Sequence, residues 1–523
     1  MPSTTQPPDP PTPGLAPLTA DARLLADLRA DLVEGGFTVD GIAEVLGPLA
    51  ARALHREQPL PADLATRENS SAAAVLTRLF SLGVAVPSAR LAPVVARTGI
   101  TGLLELGLVR ELESDTGAAD AVVATCDLRP YGDEEHQWWV ASDQSELATG
   151  EPLPADHVLG IGGASTTLAS WTPRPPVGRA LDLGTGSGVQ ALHLTTHCAE
   201  VVATDISERA LSFARFNAAL NEVTLDLRPS DMFAAVAGEG FDLVVSNPPF
   251  VITPRLPGET RYEYRDAGLV GDAAVAGLVR AVSDHLAPDG MAQFLGNWEM
   301  SEAPDGRPED WREVVSSWLE GTGLDAWVVQ REVQDPAEYA ETWARDAGHV
   351  PGSPAHGQMY AAWLADFAAR GVRSIGFGII TLHRPATDRA PWRDLVEVTG
   401  PVAAPMGPTV LDGIRARTWL AEHGDEAVLS TAWRCAPDVT EERHGRPGAP
   451  DPHVILIRQG GGLRRVFRAD TVLAAFVGVC DGQLTARQAL DAIATLVDAD
   501  ASSVRSQSLP RIRELIADGL LVS

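Results

Sequence analysis

An α/β fold is the expectation for residues 151–385: a largely parallel sheet covered by helices on both faces. Three observations carry it. Apolar runs of strand length alternate with segments of helical periodicity. A glycine-rich stretch stands at the junction of the first strand and its helix. Acidic residues close the next two strands in turn, at the ends where open parallel sheets bind ligands. Around this domain the texture differs. Residues 1–20 read as a disordered, proline-rich tail, 21–150 as a helical, winged-helix-like N-terminal module, and 386–523 as an α+β, winged-helix-like extension.

With 523 residues the chain exceeds one ordinary core, and with 45% apolar residues it can build several. No apolar run reaches the length of a membrane span, and the opening "MPSTTQPPDPPTPG" lacks the basic flank and apolar stretch of a secretory signal. A cytoplasmic protein without a membrane partner is therefore expected. The four cysteines, Cys126, Cys198, Cys435 and Cys480, lie far apart, and neither a zinc site nor a disulfide framework follows from them. No metal is expected. The formal net charge is −29, and all 41 basic residues are arginines. That excess disfavours non-specific attraction to phosphate backbones, although a local patch such as Arg464, Arg465 and Arg468 could override it.

Taken in order, "ADARLLADLRADLVEGG" and "SAAAVLTRLFSLG" carry apolar residues at helical spacing. "ITGLLELGLVREL" and "DAVVATCDLRPYG" read as helix, turn and strand, and "HQWWVASD" as a further strand whose Trp138 and Trp139 fit core packing. The central strands are "RALDLG", "EVVATD", "FDLVVSN", "GMAQFLGNW", "LDAWVVQRE" and "SIGFGIITLHR", with a helical insertion around "DPAEYAETWARDAG" and "MYAAWLADFAARG" before the last of them. In the extension, "EAVLSTAWRCAP", "PHVILIRQ" and "LRRVFRA" read as strands, followed by three helices.

"ALDLGTGSGVQAL", Ala180 to Leu192, lets backbone approach a ligand closely at Gly184, Gly186 and Gly188. Its G-x-G-x-G spacing differs from the G-x-G-x-x-G loop of dinucleotide folds. Asp205 ends "VVATD", where a carboxylate can accept both hydroxyls of a ribose. Asp231 and Met232 in "RPSDMF" follow a third strand, where an acid can accept from an adenine amino group and an apolar neighbour can cover the ring. Each acid alone also fits a helix cap or a solvated turn.

The fourth strand ends in "NPPF". Glycine loop, acid, acid and NPPF, in this order, resemble the class I S-adenosylmethionine-dependent methyltransferases, in the NPP[FY] group that methylates planar nitrogens. The resemblance covers about 151–385 and implies a Rossmann-like, seven-stranded methyltransferase sheet with S-adenosyl-L-methionine as cofactor. It places Gly184, Thr185, Gly186 and Gly188 beside the methionyl part, with Asp182 organising the loop. Asp205 and Ile206 would hold the ribose, Asp231 and Met232 the adenine, and Asn247 of the NPPF turn would also touch the cofactor. Thr167, in the "GGASTTLA" segment before the first strand, is a candidate contact to the methionyl end.

An amide or exocyclic amino nitrogen is a poor nucleophile because its lone pair is delocalised. A site helps by accepting both N–H bonds and stabilising the charge that develops on nitrogen. Asn247 can offer its side-chain oxygen and Pro248 its carbonyl. Pro249 narrows the backbone freedom of that turn, and Phe250 offers a face for stacking. "SNPPFVITP" and the later "YRDAGLVGDAAVAGLVRAVSDHLAPDGMAQFL" resemble protein-glutamine (release factor) methyltransferases, and the tetrad is also similar to that of small-domain rRNA methyltransferases. The resemblance implies N-methylation, with a protein glutamine such as that of a release factor as acceptor. The alternatives are an exocyclic amino group of a base in rRNA, tRNA or DNA, and a non-enzymatic S-adenosylmethionine-binding regulator. The oligomeric state is open.

Overall fold

A computed structural model describes residues 18–56, 58–113, 119–149, 153–254, 265–266, 268–303, 306–307, 309–346, 352–448 and 451–523. The expected N-terminal tail lies outside them except for its last three positions. The central sheet comprises β1 (Val177–Leu183), β2 (Cys198–Asp205), β3 (Asp226–Pro229), β4 (Phe241–Ser246), β5 (Leu286–Ser301), β6 (Asp325–Gln334), β7 (Val372–His383) and β8 (Arg393–Glu397). Their spatial order is β8-β6-β7-β5-β4-β1-β2-β3. Strand β7 runs antiparallel to β5 and β6, and the other pairings are parallel. The sheet thus holds one strand, β8, beyond the seven expected.

The chain moves outward from β1 through β2 to β3 and then returns to lay β4 on the other side of β1. That reversal leaves a crevice beyond the carboxyl ends of β1 and β4, the switch point at which such sheets take ligands. The parallel strands are near-continuous apolar runs because both faces are covered. Leu181, Leu183, Val244 and Phe294 pack in one cluster, and Ala180, Ala203, Leu243 and Val245 in another. At the opposite end of the sheet, the buried Asp325 carboxylate accepts from both terminal nitrogens of Arg389 and from the Trp392 amide, and pairs with His383 Nδ1 at 2.9 Å. Those bonds anchor β6, β7 and the lead into β8.

Among the described residues, seven helices flank the sheet: α1 (Gly163–Trp171), α2 (Val189–Leu194), α3 (Glu208–Leu220), α4 (Ala273–Ala281), α5 (Trp311–Trp318), α6 (Pro336–Asp346) and α7 (Pro354–Arg370). The last two form the insertion between β6 and β7. The eighth, α8 (Gly407–Glu422), begins against α1, where the Met406 N–H donates to the Ser170 carbonyl at 2.7 Å.

The N-terminal segment is not a free appendage. Its helices and its three-stranded sheet, ordered Val86–Pro87, Ala119–Ala124, Val109–Glu113, share one apolar core with Phe213, Phe216 and Leu220 of α3. A hairpin of Asp127–Gly132 and Gln137–Ser142 continues the docking. Trp138 is buried, and Trp139 donates its indole N–H to the Phe37 carbonyl at 2.7 Å, so both serve packing.

In the extension, "PHVILIRQ" and "LRRVFRA" form strands Val454–Gln459 and Val466–Ala469, and three helices close the chain. "EAVLSTAWRCAP" departs from the strand expectation. Asp425–Ser430 is a helix with two acids in its first turn, and only Arg434–Cys435 is extended. Acidic side chains favour a helix N-terminus, and that preference outweighs the short apolar run. Of the arginine patch, Arg465 is paired with Asp518 at 2.9 Å, while Arg464 and Arg468 are exposed.

Candidate active site

The first wall of the crevice is the loop after β1. The Gly184 and Thr185 amides both donate to the Thr204 carbonyl, at 2.9 and 2.8 Å, turning the chain sharply off the sheet. Gly184, Gly186 and Gly188 have φ of 73°, 56° and 89°, a region that side-chain-bearing residues rarely adopt. A Cβ at Gly184 or Gly186 would meet no atom within 4 Å, so the loop borders open space there. At Gly188 it would lie 3.5 Å from Ala214, which marks close packing of the loop on α3.

Two carboxylates shape that loop. Asp182 is buried, and its Oδ2 accepts the Thr185 hydroxyl at 2.6 Å and the Ala191 amide at 2.9 Å. Burial pushes its carboxyl up to about 7, against the lowering effect of those two bonds, and the nearby Asp205 adds to the rise. Asp205 ends β2. Its Oδ2 accepts the Gly186 amide at 2.8 Å and its Oδ1 the Ser207 amide at 2.9 Å. Burial raises this carboxyl too. A carboxylate has about four lone-pair sites, so both oxygens can still accept a further donor.

Beside Asp205, Ile206 is 66% exposed, and Met232 after β3 is 41% exposed. Met232 has φ 47° and is held in that turn by the Ser230 hydroxyl, which donates to its carbonyl at 2.8 Å. Asp231 next to it is exposed. Two bare apolar side chains next to these acids are the surface that a ring with a polar edge would cover. Thr167 is exposed on α1, which is tied to the loop helix by Gln190 Nε2 donating to the Ser165 carbonyl at 2.8 Å.

The second wall is the NPPF turn. Ser246 closes β4, with its hydroxyl on the Leu183 carbonyl at 2.7 Å, so the ends of β1 and β4 are fastened together. Asn247 follows. Its Oδ1 is buried yet has no hydrogen-bond partner among the described residues. Pro248 is buried, while Pro249 and Phe250 are half-buried. Phe250 bridges Asp266 through backbone, and its ring meets Trp343 of α6 edge-on at 6.3 Å. The structure therefore brings Asp182, Thr185, Asp205 and the glycines together as one loop assembly. Ile206, Asp231 and Met232 stand at the strand ends beside it, and Asn247 to Phe250 at the neighbouring strand end.

Sequence reasoning passed over three groups here. Ser187 donates to the Leu159 carbonyl at 2.8 Å, bringing the segment before α1 against the glycine loop, where Leu159 is 44% exposed. Asn217 of α3 is fully buried and donates to both Ser187 and Ala141 carbonyls at 2.8 Å. A polar residue in mid-helix among alanines and phenylalanines was the available signal. Tyr339 of α6 accepts the Ile252 amide at 2.8 Å.

These residues fit S-adenosylmethionine. Open space lies over two positive-φ glycines, two carboxylate oxygens retain acceptor capacity, exposed apolar side chains flank the acids, and a buried amide oxygen lacks a donor.

Comparison with known proteins points to the same class of fold and cofactor. Residues 160–258 match the family model described as Methyltransferase small domain. Residues 34–121 and 413–523 match two domains of unknown function, DUF7059 and DUF7782. The release factor glutamine methyltransferase of Haemophilus influenzae is 27% identical over 184 residues, 32% of this chain and 63% of the relative. The ribosomal protein uL3 glutamine methyltransferase of Xanthomonas campestris is 39% identical over 131 residues, 23% of this chain and 42% of the relative. The release factor glutamine methyltransferase of Escherichia coli is 35% identical over 135 residues, 24% of this chain and 48% of the relative. The chain thus spans about half the length of these relatives. Its central domain resembles class I S-adenosylmethionine-dependent methyltransferases, and the two flanking segments match two other family models.

Proposed function

We propose that the chain is an S-adenosylmethionine-dependent N-methyltransferase whose acceptor is the side-chain amide of a protein glutamine. The observation that carries the reading is the buried, unpartnered Oδ1 of Asn247 at the end of β4. A buried acceptor left without a donor costs about 1–3 kcal/mol. An incoming N–H recovers that cost at the moment the acceptor binds.

The bound cofactor supplies an electrophilic methyl group on a sulfonium. Every other requirement falls on the chain. Asp205 and the Asp182–Thr185 pair hold the loop that borders the cofactor. Asn247 Oδ1 and the Pro248 carbonyl accept the two N–H bonds of the acceptor amide, which fixes its plane and leaves the nitrogen lone pair free to face the methyl. As nitrogen takes the methyl it becomes positive and those oxygens stabilise it, and such preorganised groups contribute most where water is excluded. The product returns to a neutral amide by losing one of its two N–H protons to solvent. The half-buried Phe250 offers the amide an apolar face. The glutamine-directed relatives support the choice of acceptor, since their names specify a release factor and a ribosomal protein.

Purified protein, methyl-labelled cofactor and an extract of cells lacking the gene test the reading. Label should enter a protein band, resist nuclease, and map by mass spectrometry to a methylated glutamine. Label that nuclease removes and protease does not would replace the glutamine by a nucleic-acid base.

A further inference from the structure

The insertion between β6 and β7 reaches the acceptor side of the crevice through the Tyr339 hydroxyl, the Trp343 ring and the Arg265–Asp346 ion pair. Two residues beyond Phe250, the Ile252 amide donates to Tyr339 Oη at 2.8 Å, and Asn297 Nδ2 of β5 donates to the same oxygen at 3.0 Å. Tyr339 is fully buried, its ring packed on Trp363, Phe367 and Phe377 with centroids 5.5–5.6 Å away. Burial holds its phenol well above the ordinary range, so it stays a neutral hydroxyl able to accept both donors. One helical turn further on, Trp343 meets the Phe250 ring. Helix α6 starts where it does because Asp335 accepts the Ala337 and Glu338 amides at 2.8 and 2.9 Å. Positions 339 and 343 therefore share one face, turned to the NPPF turn.

Proline removes amide donors from positions 248 and 249, so the turn gains no backbone bond of its own there. Its downstream side is held by Val251, which donates to the Arg265 carbonyl at 2.8 Å, and by Ile252 on Tyr339. We propose that Tyr339 is a positioning residue for methyl transfer: its hydroxyl fixes the backbone leaving the NPPF turn and so the direction in which Asn247, Pro248 and Phe250 face the acceptor. This rests on the function proposed above. It gives the insertion a role in the reaction rather than in packing alone. A misplacement of the acceptor group by about 1 Å can slow transfer about 100-fold.

The test compares Tyr339→Phe with Trp363→Phe. The first keeps the ring and removes the hydroxyl. The second disturbs the same aromatic cluster and leaves the hydroxyl in place. Amide exchange is read at single-residue resolution, together with the melting temperature, the affinity for S-adenosylhomocysteine, and kcat on the labelled acceptor. Tyr339→Phe should speed exchange at Ile252 about tenfold and lower kcat about tenfold, with S-adenosylhomocysteine affinity within about twofold of wild type. Trp363→Phe should lower the melting temperature while Ile252 exchange and kcat stay near wild type. Unchanged Ile252 exchange in Tyr339→Phe overturns the proposal, as does faster exchange with unchanged kcat. An equal loss of kcat in Trp363→Phe would reduce Tyr339 to a packing residue. If the wild-type protein methylates nothing, the proposed function fails, while the exchange measurement still decides whether Tyr339 holds the turn.

Discussion

Asp205 stands at the end of β2, yet its carboxylate accepts the amide of Gly186 in the loop after β1, at 2.8 Å. One side chain thus sets the glycine loop and keeps lone pairs for a further donor. With the proposed ribose hydroxyls on those lone pairs, one side chain would serve both the loop and the cofactor, so the two cannot be mutated apart.

Asp205→Ala removes the Gly186 and Ser207 bonds together with the proposed ribose acceptor. Calorimetry with S-adenosylhomocysteine should show affinity at least about tenfold weaker, since hydrogen bonds to charged groups contribute about 1.5–3 kcal/mol. Asp205→Asn keeps one acceptor oxygen and should lose less. Wild-type affinity in the alanine variant would remove Asp205 from the cofactor site.

Asn247→Ala should behave in the opposite way. Removing a preorganised acceptor should lower kcat by about 10²–10³-fold. The melting temperature should stay level or rise, because the wild-type Oδ1 is buried without a partner. Loss of S-adenosylhomocysteine binding comparable to the loss of kcat would instead make Asn247 a cofactor ligand alone.

The parts legible in the sequence are those with short-range signals. Continuous apolar strands, the glycines that need positive φ, and acids at strand ends each declare themselves within a few residues. Strand β8, "RDLVE", did not, because it is an edge strand with Asp394, Leu395 and Val396 only half-buried. The bonds of Tyr339 and Asn217 were not legible for a different reason, although the polar residue in mid-helix did mark Asn217. Their partners, Ile252 and Ser187, lie 87 and 30 residues away in sequence, and only the folded domain brings them within bonding distance.

Asp182 predicts a pH dependence with a definite sign. Its carboxyl ordinarily titrates near 3.9 when unfolded and is pushed up to about 7 in the fold, chiefly by burial. Between those values the native state holds a proton that the unfolded chain has released. Stability therefore falls as pH rises from about 4 to about 7 and is flat in this term above that. Asp182→Asn cannot titrate and should flatten the fall. Melting temperatures of both proteins across pH 5–8 test it, and parallel curves would show that the carboxyl titrates near its ordinary value.

Asn217 carries the last prediction, which concerns the N-terminal segment. Its Oδ1 accepts the Ala141 amide at 2.7 Å, and its Nδ2 donates to the Ala141 and Ser187 carbonyls at 2.8 Å. The side chain acts as a strand partner for the hairpin and fastens the hairpin to the residue between Gly186 and Gly188. Asn221, one turn later, makes the same paired bonds to Trp139 at 2.9 and 2.8 Å but none to the glycine loop. Asn217→Ala leaves three backbone groups without partners and should destabilise the fold by about 3 kcal/mol. Asn221→Ala should cost a comparable but smaller amount. The two should diverge in cofactor affinity, which falls in Asn217→Ala and holds in Asn221→Ala, because only the former bond reaches the loop. Equal affinities in the two variants, measured well below their melting temperatures, would mean that the hairpin stabilises the domain without shaping its cofactor loop.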